Sequence, residues 1–297
     1  MASPSPTSLG RVVLVGAGPG AADLLTLRAA RALAAAEVVV HDGLVSAEVL
    51  ALAPAGARLV SVAKRRDRHT MQQAEIGALL VAEARAGHNV VRLKGGDPFI
   101  FGRGGEEVDA CIAAGVAVEV VPGISAAQGA AAANLLPLTH RDHASIVSFV
   151  AGECRGLADQ DWAGLAGKGR TLVIYMGIAG AERIAEKLMA DGLAPDTPIA
   201  VIERATLPGM RIVRSLLADL GGLVAREGIV SPALIVVGDV TALPPSRLRG
   251  VEDGAQRQRL GEGSAAWTES AQLSLIPSPS PSRKREGSKK APICPVS

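Results

Sequence analysis

Three short apolar segments of the chain each end in a glycine-rich turn, and this pattern limits the possible folds. The segments are residues 11–15, 89–93 and 116–121. Apolar runs of this length, bounded by turn residues, are typical of strands buried on both faces. Further strands are predicted at 37–41 and 59–62, and helices at 23–36, 71–86, 105–114 and 124–136. This alternation predicts a parallel sheet with helices on both faces.

The pattern changes after a polar segment at residues 138–142. We therefore predict an N-terminal α/β domain at 10–138 and a C-terminal α/β domain at 139–243. The predicted strands of the second domain are 146–150, 171–175, 199–203, 212–215 and 233–237, with helices at 181–191 and 216–226. Several connections are too short to cross over a sheet, so we expect a mixed sheet with some antiparallel pairs.

The two ends of the chain differ from this body. Residues 1–9 are rich in serine and proline, and residues 244–297 form a low-complexity Pro/Ser-rich segment with nine basic and five acidic residues. Such composition buries too little apolar surface to offset the chain entropy, so both ends are predicted to be disordered. The body that remains is nearly neutral.

The composition excludes several classes of protein. Aromatic residues make up 2% of the chain, which argues against a protein that stacks on nucleic-acid bases. There is no apolar run long enough for a membrane span and no apolar secretory leader. Three widely spaced cysteines form no metal motif. We therefore expect a cytoplasmic protein with no bound metal, no membrane association and no nucleic-acid partner.

The first glycine turn formally matches a dinucleotide-binding fingerprint. Gly16, Gly18 and Ala21 follow a predicted strand and precede a predicted helix, and Glu37 and Asp42 lie near the expected acidic position. A NAD-binding oxidoreductase is therefore one alternative. A lone match is weak evidence, and it leaves the other glycine clusters unexplained.

Those other clusters carry a resemblance to a known family. Residues 92–107 read RLKGGDPFIFGRGGEE, and residues 121–125 read VPGIS. Shorter matches are GAGPG at 16–20, LLTL at 24–27, DGLV at 42–45, PLTHRD at 137–142, YMG at 175–177 and SPAL at 231–234. Over residues 10–243 the sequence resembles the tetrapyrrole methylase superfamily and, within it, the uroporphyrinogen-III C-methyltransferases.

The resemblance implies a fold, a cofactor and an assembly. The expected fold is α/β, with two domains and the active site in the cleft between them, usually in a homodimer. The expected cofactor is S-adenosylmethionine, which leaves as S-adenosylhomocysteine. The positions that match the family's cofactor contacts are Pro19, Gly95, Gly96, Asp97, Ile100, Ser125, Ala126, Met176 and Ala205.

The implied reaction is methylation of uroporphyrinogen III at C-2 and C-7, giving precorrin-2 for sirohaem and cobalamin synthesis. A sulfonium methyl group is already activated, so the enzyme mainly aligns the reactants. Proton transfers that accompany the reaction need a positioned acid and base. By resemblance, Asp42 matches the proton acceptor and Lys64 the proton donor.

The tetrapyrrole substrate carries several carboxylates, which arginine can bind through two parallel hydrogen bonds. The candidate substrate-binding residues are Arg65, Arg66, Arg103, Arg141, Arg204 and Arg211, with Arg92 as a further candidate. A solvated charge run is the alternative interpretation for the first two.

Some residues depart from the family pattern. Gly43 stands where a larger residue is common, and Ala63 where glycine is usual. Asn134-Leu135 replaces an Ala-Gly pair, Ala205 replaces a glycine beside the cofactor, and Met210 replaces a glutamine. These changes leave open a methylase that acts on a later precorrin, and a degenerate methylase that only senses the cofactor.

Overall fold

The computed structural model describes residues 9–63, 71–152 and 161–242. The predictions for residues 1–8, for Lys64, Arg65 and Arg66, and for the tail from residue 243 onward lie outside these ranges. The described residues form two five-stranded sheets. Both sheets belong to one compact unit.

The first sheet is entirely parallel, as its sequence pattern predicts. Its strands are β1 (Arg11–Gly16), β2 (Val38–His41), β3 (Arg58–Ser61), β4 (Asn89–Lys94) and β5 (Ala117–Val121), in the order β3-β2-β4-β1-β5. The helices are α1 (Leu27–Ala34), α2 (Ala47–Leu50), α3 (Gln73–Arg85), α4 (Gly104–Ala113) and α5 (Ala126–Ala133). The carboxyl ends of the strands, where ligands collect in such sheets, share one edge.

Both faces of this sheet are covered. Alternate residues of β1 enter different cores: Val13 and Val15 pack with Leu33 of α1, and Val12 and Leu14 pack with Leu80 of α3. A strand buried on both faces gains from apolar side chains at every position, which explains its unbroken apolar run.

Two helical predictions need correction. The predicted helix at 23–36 is instead a short 3-10 turn (Ala22–Leu24) followed by α1, because the Thr26 hydroxyl accepts a hydrogen bond from the Ala29 amide and starts the helix there. Helix α2 was not predicted. It has four residues, too few for a periodic pattern, and the Ser46 side chain caps it.

The second sheet is mixed, again as predicted. Its strands are β6 (Ala144–Ala151), β7 (Gly169–Tyr175), β8 (Pro198–Glu203), β9 (Arg211–Leu216) and β10 (Ala233–Val237), in the order β6-β7-β10-β8-β9. Strands β6 and β7 are parallel and the other pairs antiparallel. Helices α6 (Ala181–Ala190) and α7 (Leu220–Glu227) contribute to the core on one face, and a 3-10 turn at Leu217–Asp219 replaces the predicted start of the latter.

Helix α5 connects the two sheets. It follows β5 of the first sheet, yet Ala127 and Ala130 are buried against Val173, Ile202 and Leu234 of the second. The helix therefore serves both halves of the molecule, and a domain division at residue 138 stays a prediction. Among the described residues, no helix is long and apolar enough to cross a membrane.

The glycine turn after β1 provides a test of this packing. A Cβ atom at Gly16 would lie 2.5 Å from the Gly123 backbone nitrogen and 2.7 Å from the Gly96 carbonyl oxygen. We expect Gly16→Ala to lower the free energy of unfolding by about 3 kcal/mol, because backbone cannot move aside as a flexible side chain can. The measurement is urea denaturation followed by circular dichroism.

Gly105→Ala in α4 is the matched control. A Cβ atom there would meet nothing within 4 Å. The substitution should raise stability by roughly 0.5 kcal/mol, since alanine favours a helix more than glycine does. Equal stability of the two variants would show that Gly16 is not closely packed.

Candidate active site

The three glycine-rich loops of the first sheet meet through their backbones. The Ala17 amide donates to the Lys94 carbonyl at 2.7 Å, and the Gly96 amide donates to the Gly18 carbonyl at 2.7 Å. A Cβ atom at Gly123 would lie 2.3 Å from the Gly96 carbonyl oxygen. Glycine is therefore required where these loops cross, and they form a tight floor at the carboxyl ends of β1, β4 and β5.

The Asp97 carboxylate holds two of these loops together. One oxygen accepts a hydrogen bond from the Phe99 amide at 2.8 Å, and the other accepts one from the Gly123 amide at 3.0 Å. Asp97 therefore fixes the shape of its own turn and its distance from the loop after β5.

The second sheet reaches this floor through Tyr175. The Tyr175 hydroxyl accepts a hydrogen bond from the Ala127 amide, in the first turn of α5, at 3.1 Å. Its ring lies 4.8 Å, centroid to centroid, from the ring of Phe101. Burial raises the pKa of the Tyr175 phenol, so it stays protonated and remains able to donate as well as accept. This hydrogen bond links the start of α5, where Ser125 is the N-cap and Ala126 lies beside Gly96, to the residue that precedes Met176.

The segment after β8 in the second sheet also contacts the glycine loop that follows β1. The Ala21 amide donates to the Thr206 hydroxyl at 3.1 Å, although the two residues are 185 positions apart. A Cβ atom at Gly129 would lie 2.4 Å from the Pro19 ring, so Pro19 packs directly on α5. Ala205 therefore lies in a segment that contacts the first glycine loop.

Strained backbone is concentrated around these connections. Among the described residues, the non-glycine residues with positive φ are Phe101, Arg103, Leu135, Met176, Arg204 and Thr206. Such residues are uncommon and cluster at functional sites, where the surrounding structure holds them. Met176 exposes 46% of its surface, which leaves its side chain available to a ligand.

Four ionisable side chains at the ends of β2 and β4 and on α4 form hydrogen bonds with one another and are here called the charge cluster: Asp42, Arg92, Lys94 and Glu107. Arg92 donates to Asp42 Oδ1 at 2.5 Å and to Glu107 Oε1 at 3.1 Å. Lys94 Nζ lies 2.9 and 3.0 Å from the two oxygens of Glu107. Arg92, Lys94 and Glu107 are almost completely buried, so each charge depends on its partners.

Asp42 is the partly exposed member of the charge cluster. Its side chain is 32% exposed, and Arg92 also donates to the Val40 and Leu93 carbonyls, which fixes the guanidinium. Within the described ranges, Asp42 Oδ2 receives no hydrogen bond. Burial lowers the pKa of Lys94, as does the Arg92 charge, while Glu107 opposes both effects.

Comparison with known proteins identifies the family. The family described as Tetrapyrrole (Corrin/Porphyrin) Methylases matches residues 11–221. The chain belongs to this family. A siroheme synthase from Edwardsiella ictaluri (strain 93-146) is 49% identical over 243 residues, which are 82% of this chain and 52% of that protein. The chain thus spans about half the length of the siroheme synthases it matches.

Solved structures show the same architecture. The uroporphyrin-III C-methyl transferase from Thermus thermophilus, complexed with S-adenyl homocysteine, is 44% identical and has a TM-score of 0.66, covering 78% of this chain and 93% of its own. A cobalamin biosynthetic enzyme, cobalt precorrin-4 methyltransferase, is 28% identical with a TM-score of 0.70, covering 78% and 95%. The expected two-domain tetrapyrrole methylase fold is confirmed.

The arginine residues predicted to bind the substrate differ in their exposure and in their hydrogen-bond partners. Arg92 is 1% exposed and its guanidinium is bound to Asp42 and Glu107, so it is not available to a substrate carboxylate, contrary to the sequence-based prediction. Arg103 forms an exposed ion pair with Glu106, and Arg211 is held by Glu203 and the Gly228 carbonyl. Arg141 and Arg204 are exposed, while Arg65 and Arg66 lie outside the described residues.

Lys94 and Glu107 were not identified from the sequence, although a signal for them exists. Arg92 and Lys94 are two positions apart in an otherwise apolar strand, so they occupy one face of β4. Two buried cations on one face require buried carboxylates. Within the described ranges, no group of His, Cys, Asp or Glu is arranged to hold a metal ion.

The charge cluster gives a stability prediction with a neighbouring control. Glu107→Gln removes the carboxylate that faces both Arg92 and Lys94, and we expect it to lower the free energy of unfolding by about 3 kcal/mol. Glu106→Gln breaks only the exposed pair with Arg103, and little change is expected. Thermal unfolding measures both; equal melting temperatures would contradict the structural role of Glu107.

Proposed function

We propose that this tetrapyrrole methylase transfers methyl groups from S-adenosylmethionine to C-2 and C-7 of uroporphyrinogen III, giving precorrin-2. One observation carries most of the weight: the similar Thermus enzyme, named for uroporphyrin-III methylation, is covered over 93% of its length at 44% identity. The cofactor and the catalytic roles below are part of this proposal.

The arrangement of the cofactor candidates supports S-adenosylmethionine. Gly95, Gly96 and Asp97 follow β4, Ser125 and Ala126 begin α5, and Met176 follows β7. A Cβ atom at Gly96 would lie 3.7 Å from the Ala126 amide nitrogen, so the first two groups are in contact. Tyr175, which precedes Met176, is hydrogen-bonded to the Ala127 amide of α5. Backbone, small and aliphatic groups gathered at the sheet edge suit a folded nucleoside with an amino-acid chain. Pro19, Ile100 and Ala205 complete the proposed set.

When bound, the cofactor supplies an activated methyl group, and this chain's residues align the acceptor carbon and move protons. Asp42 is the proposed proton acceptor. Arg92 orients its carboxylate through Oδ1, while Oδ2 faces no donor in the described part of the chain. That oxygen is free to accept a proton from the substrate. The proposed donor role of Lys64 stays a prediction, since Lys64 lies outside the described residues.

Exposed apolar side chains around the floor suit the substrate's macrocycle. Leu44 is 63% exposed, Phe99 60% and Phe101 40%. Exposed apolar groups beside a polar site favour binding of a large ring with charged edges. Arg141 and Arg204 remain candidates for its carboxylates. Arg103 and Arg211 are weaker candidates because Glu106 and Glu203 already neutralise them.

The oxidoreductase alternative fits the geometry poorly. In a dinucleotide site the glycine loop leads directly into a helix whose N-terminus faces the pyrophosphate. Here α1 begins only at Leu27, after the 3-10 turn, and the Ala21 amide is bound by Thr206. Gly16, Gly18 and Gly20 are buried, Gly16 against neighbouring backbone and Gly20 against the Leu207 side chain.

A methylase acting on a later precorrin is the second candidate. The likeness to cobalt precorrin-4 methyltransferase supports it at a lower identity of 28%. Homodimer formation, a cytoplasmic location and the absence of a nucleic-acid partner are further parts of the proposal.

The decisive assay supplies uroporphyrinogen III and methyl-labelled S-adenosylmethionine without oxygen. We expect a product heavier by two methyl groups, with label at C-2 and C-7. Label at another carbon, or methylation of a later precorrin alone, would support the second candidate. Binding of S-adenosylhomocysteine without any turnover would indicate the cofactor-sensing alternative instead.

Two substitutions separate chemistry from cofactor binding. Asp42→Asn keeps an oxygen for Arg92 but removes the basic carboxylate, so turnover should fall at least about 100-fold with unchanged affinity for S-adenosylhomocysteine. Asp97→Asn should weaken that affinity about tenfold, because a carboxylate that accepts from two backbone amides shapes the binding loop. Calorimetry and initial rates measure both. Normal turnover by Asp42→Asn would remove Asp42 from the mechanism.

A further inference from the structure

The sulfur of Met210 lies within hydrogen-bond distance of two N–H donors. The Thr206 amide nitrogen is 3.3 Å from Sδ, and the Asn134 side-chain nitrogen is 3.6 Å from it. All three residues are half-buried. A thioether is a weak acceptor, so two donors directed at one sulfur form an unusual arrangement. It joins the end of α5 to the segment after β8.

That segment has a backbone that needs support. Arg204 has a φ of 52° and Thr206 a φ of 64°, both in the left-handed region that non-glycine residues disfavour. Ala205 lies between them. The Thr206 amide has the Met210 sulfur as its acceptor, so the thioether helps to hold this strained turn.

The same turn contacts the first glycine loop. The Thr206 hydroxyl accepts from the Ala21 amide, and a Cβ atom at Gly20 would lie 2.7 Å from the Leu207 side chain. A displacement of the turn would therefore move the loop that contains Pro19. Asn134 fixes the other side, because its side-chain nitrogen also donates to the Ala130 carbonyl at 2.9 Å.

We propose that Met210 is a positioning residue for the cofactor: its thioether, accepting from Thr206 and Asn134, holds Ala205 and the Pro19 loop at the spacing that binds S-adenosylmethionine. The inference rests on the proposed function, in which Ala205 and Pro19 contact that cofactor. It gives a role to two residues, Asn134 and Met210, that depart from the family pattern.

The first test replaces the sulfur with a group of similar size. Met210→Leu keeps the apolar volume and removes the acceptor, while Met210→Gln supplies a carbonyl oxygen that can accept from Thr206. For Met210→Leu we expect a rise in the Kd of S-adenosylhomocysteine of roughly two- to tenfold, as the loss of one modest hydrogen bond predicts. The KM for S-adenosylmethionine should rise with it, and kcat should change less. Met210→Gln should restore both values.

Met189→Leu is the matched control, because Met189 lies on α6 against the core of the second sheet. It makes the same chemical change away from the site, and no change in Kd is expected. Calorimetric titration with S-adenosylhomocysteine gives the readout, and thermal unfolding of each variant reports its fold.

A double-mutant cycle with Asn134→Ala tests the shared sulfur. Asn134→Ala alone should weaken binding, and its effect should shrink when Met210 is already leucine, since the common acceptor is gone. Additive effects, or wild-type affinity in Met210→Leu, would overturn the inference. If Met210→Leu folds poorly, Asn134→Ala becomes the test, and wild-type affinity of that variant for S-adenosylhomocysteine would overturn the inference. A wild-type protein that fails to bind S-adenosylhomocysteine would count against the proposed function instead.

Discussion

The contact of three glycine loops at the edge of a parallel sheet is the constraint on which the site depends. Gly16, Gly96 and Gly123 approach so closely that a Cβ atom at Gly16 or at Gly123 would collide with backbone. Loops packed in this way leave few side chains at the centre of the floor, so a ligand there meets mainly backbone amides and carbonyls. Selectivity must then come from residues at the rim, which other elements supply.

Some of those rim residues come from the second sheet, and long-range contacts hold them in place. The Tyr175 hydroxyl fixes the start of α5, and Thr206 fixes the loop after β1. Each contact fixes the relative position of two segments that local sequence preferences alone would not bring together. The strained residues Met176 and Arg204 adjoin these anchors, which is consistent with a backbone forced into shape by tertiary contacts.

The sequence predicted the elements of this fold well because its local signals agree. Apolar runs marked all ten strands of the described ranges, and a polar break preceded the mixed sheet. Helix α2 and the split at Thr26 were missed, since a four-residue helix has no period and a cap acts over one turn. The cofactor and catalytic positions came from resemblance to a family and not from physical reasoning. The contact between Ala21 and Thr206 could not be predicted, because nothing local in either segment indicates a partner 185 positions away.

The charge cluster links the stability of the first sheet to the proposed chemistry at Asp42. Burying Arg92 and Lys94 is costly unless carboxylates accompany them, and Glu107 provides one inside the sheet. The remaining guanidinium donors of Arg92 reach backbone carbonyls and Asp42 at the surface. Glu107 and the backbone carbonyls fix the position of the Arg92 guanidinium. Its hydrogen bond to Asp42 therefore fixes the Asp42 carboxylate as well. In the proposed reaction Asp42 is the proton acceptor, and this contact positions it before the substrate arrives, as proton transfer during catalysis requires.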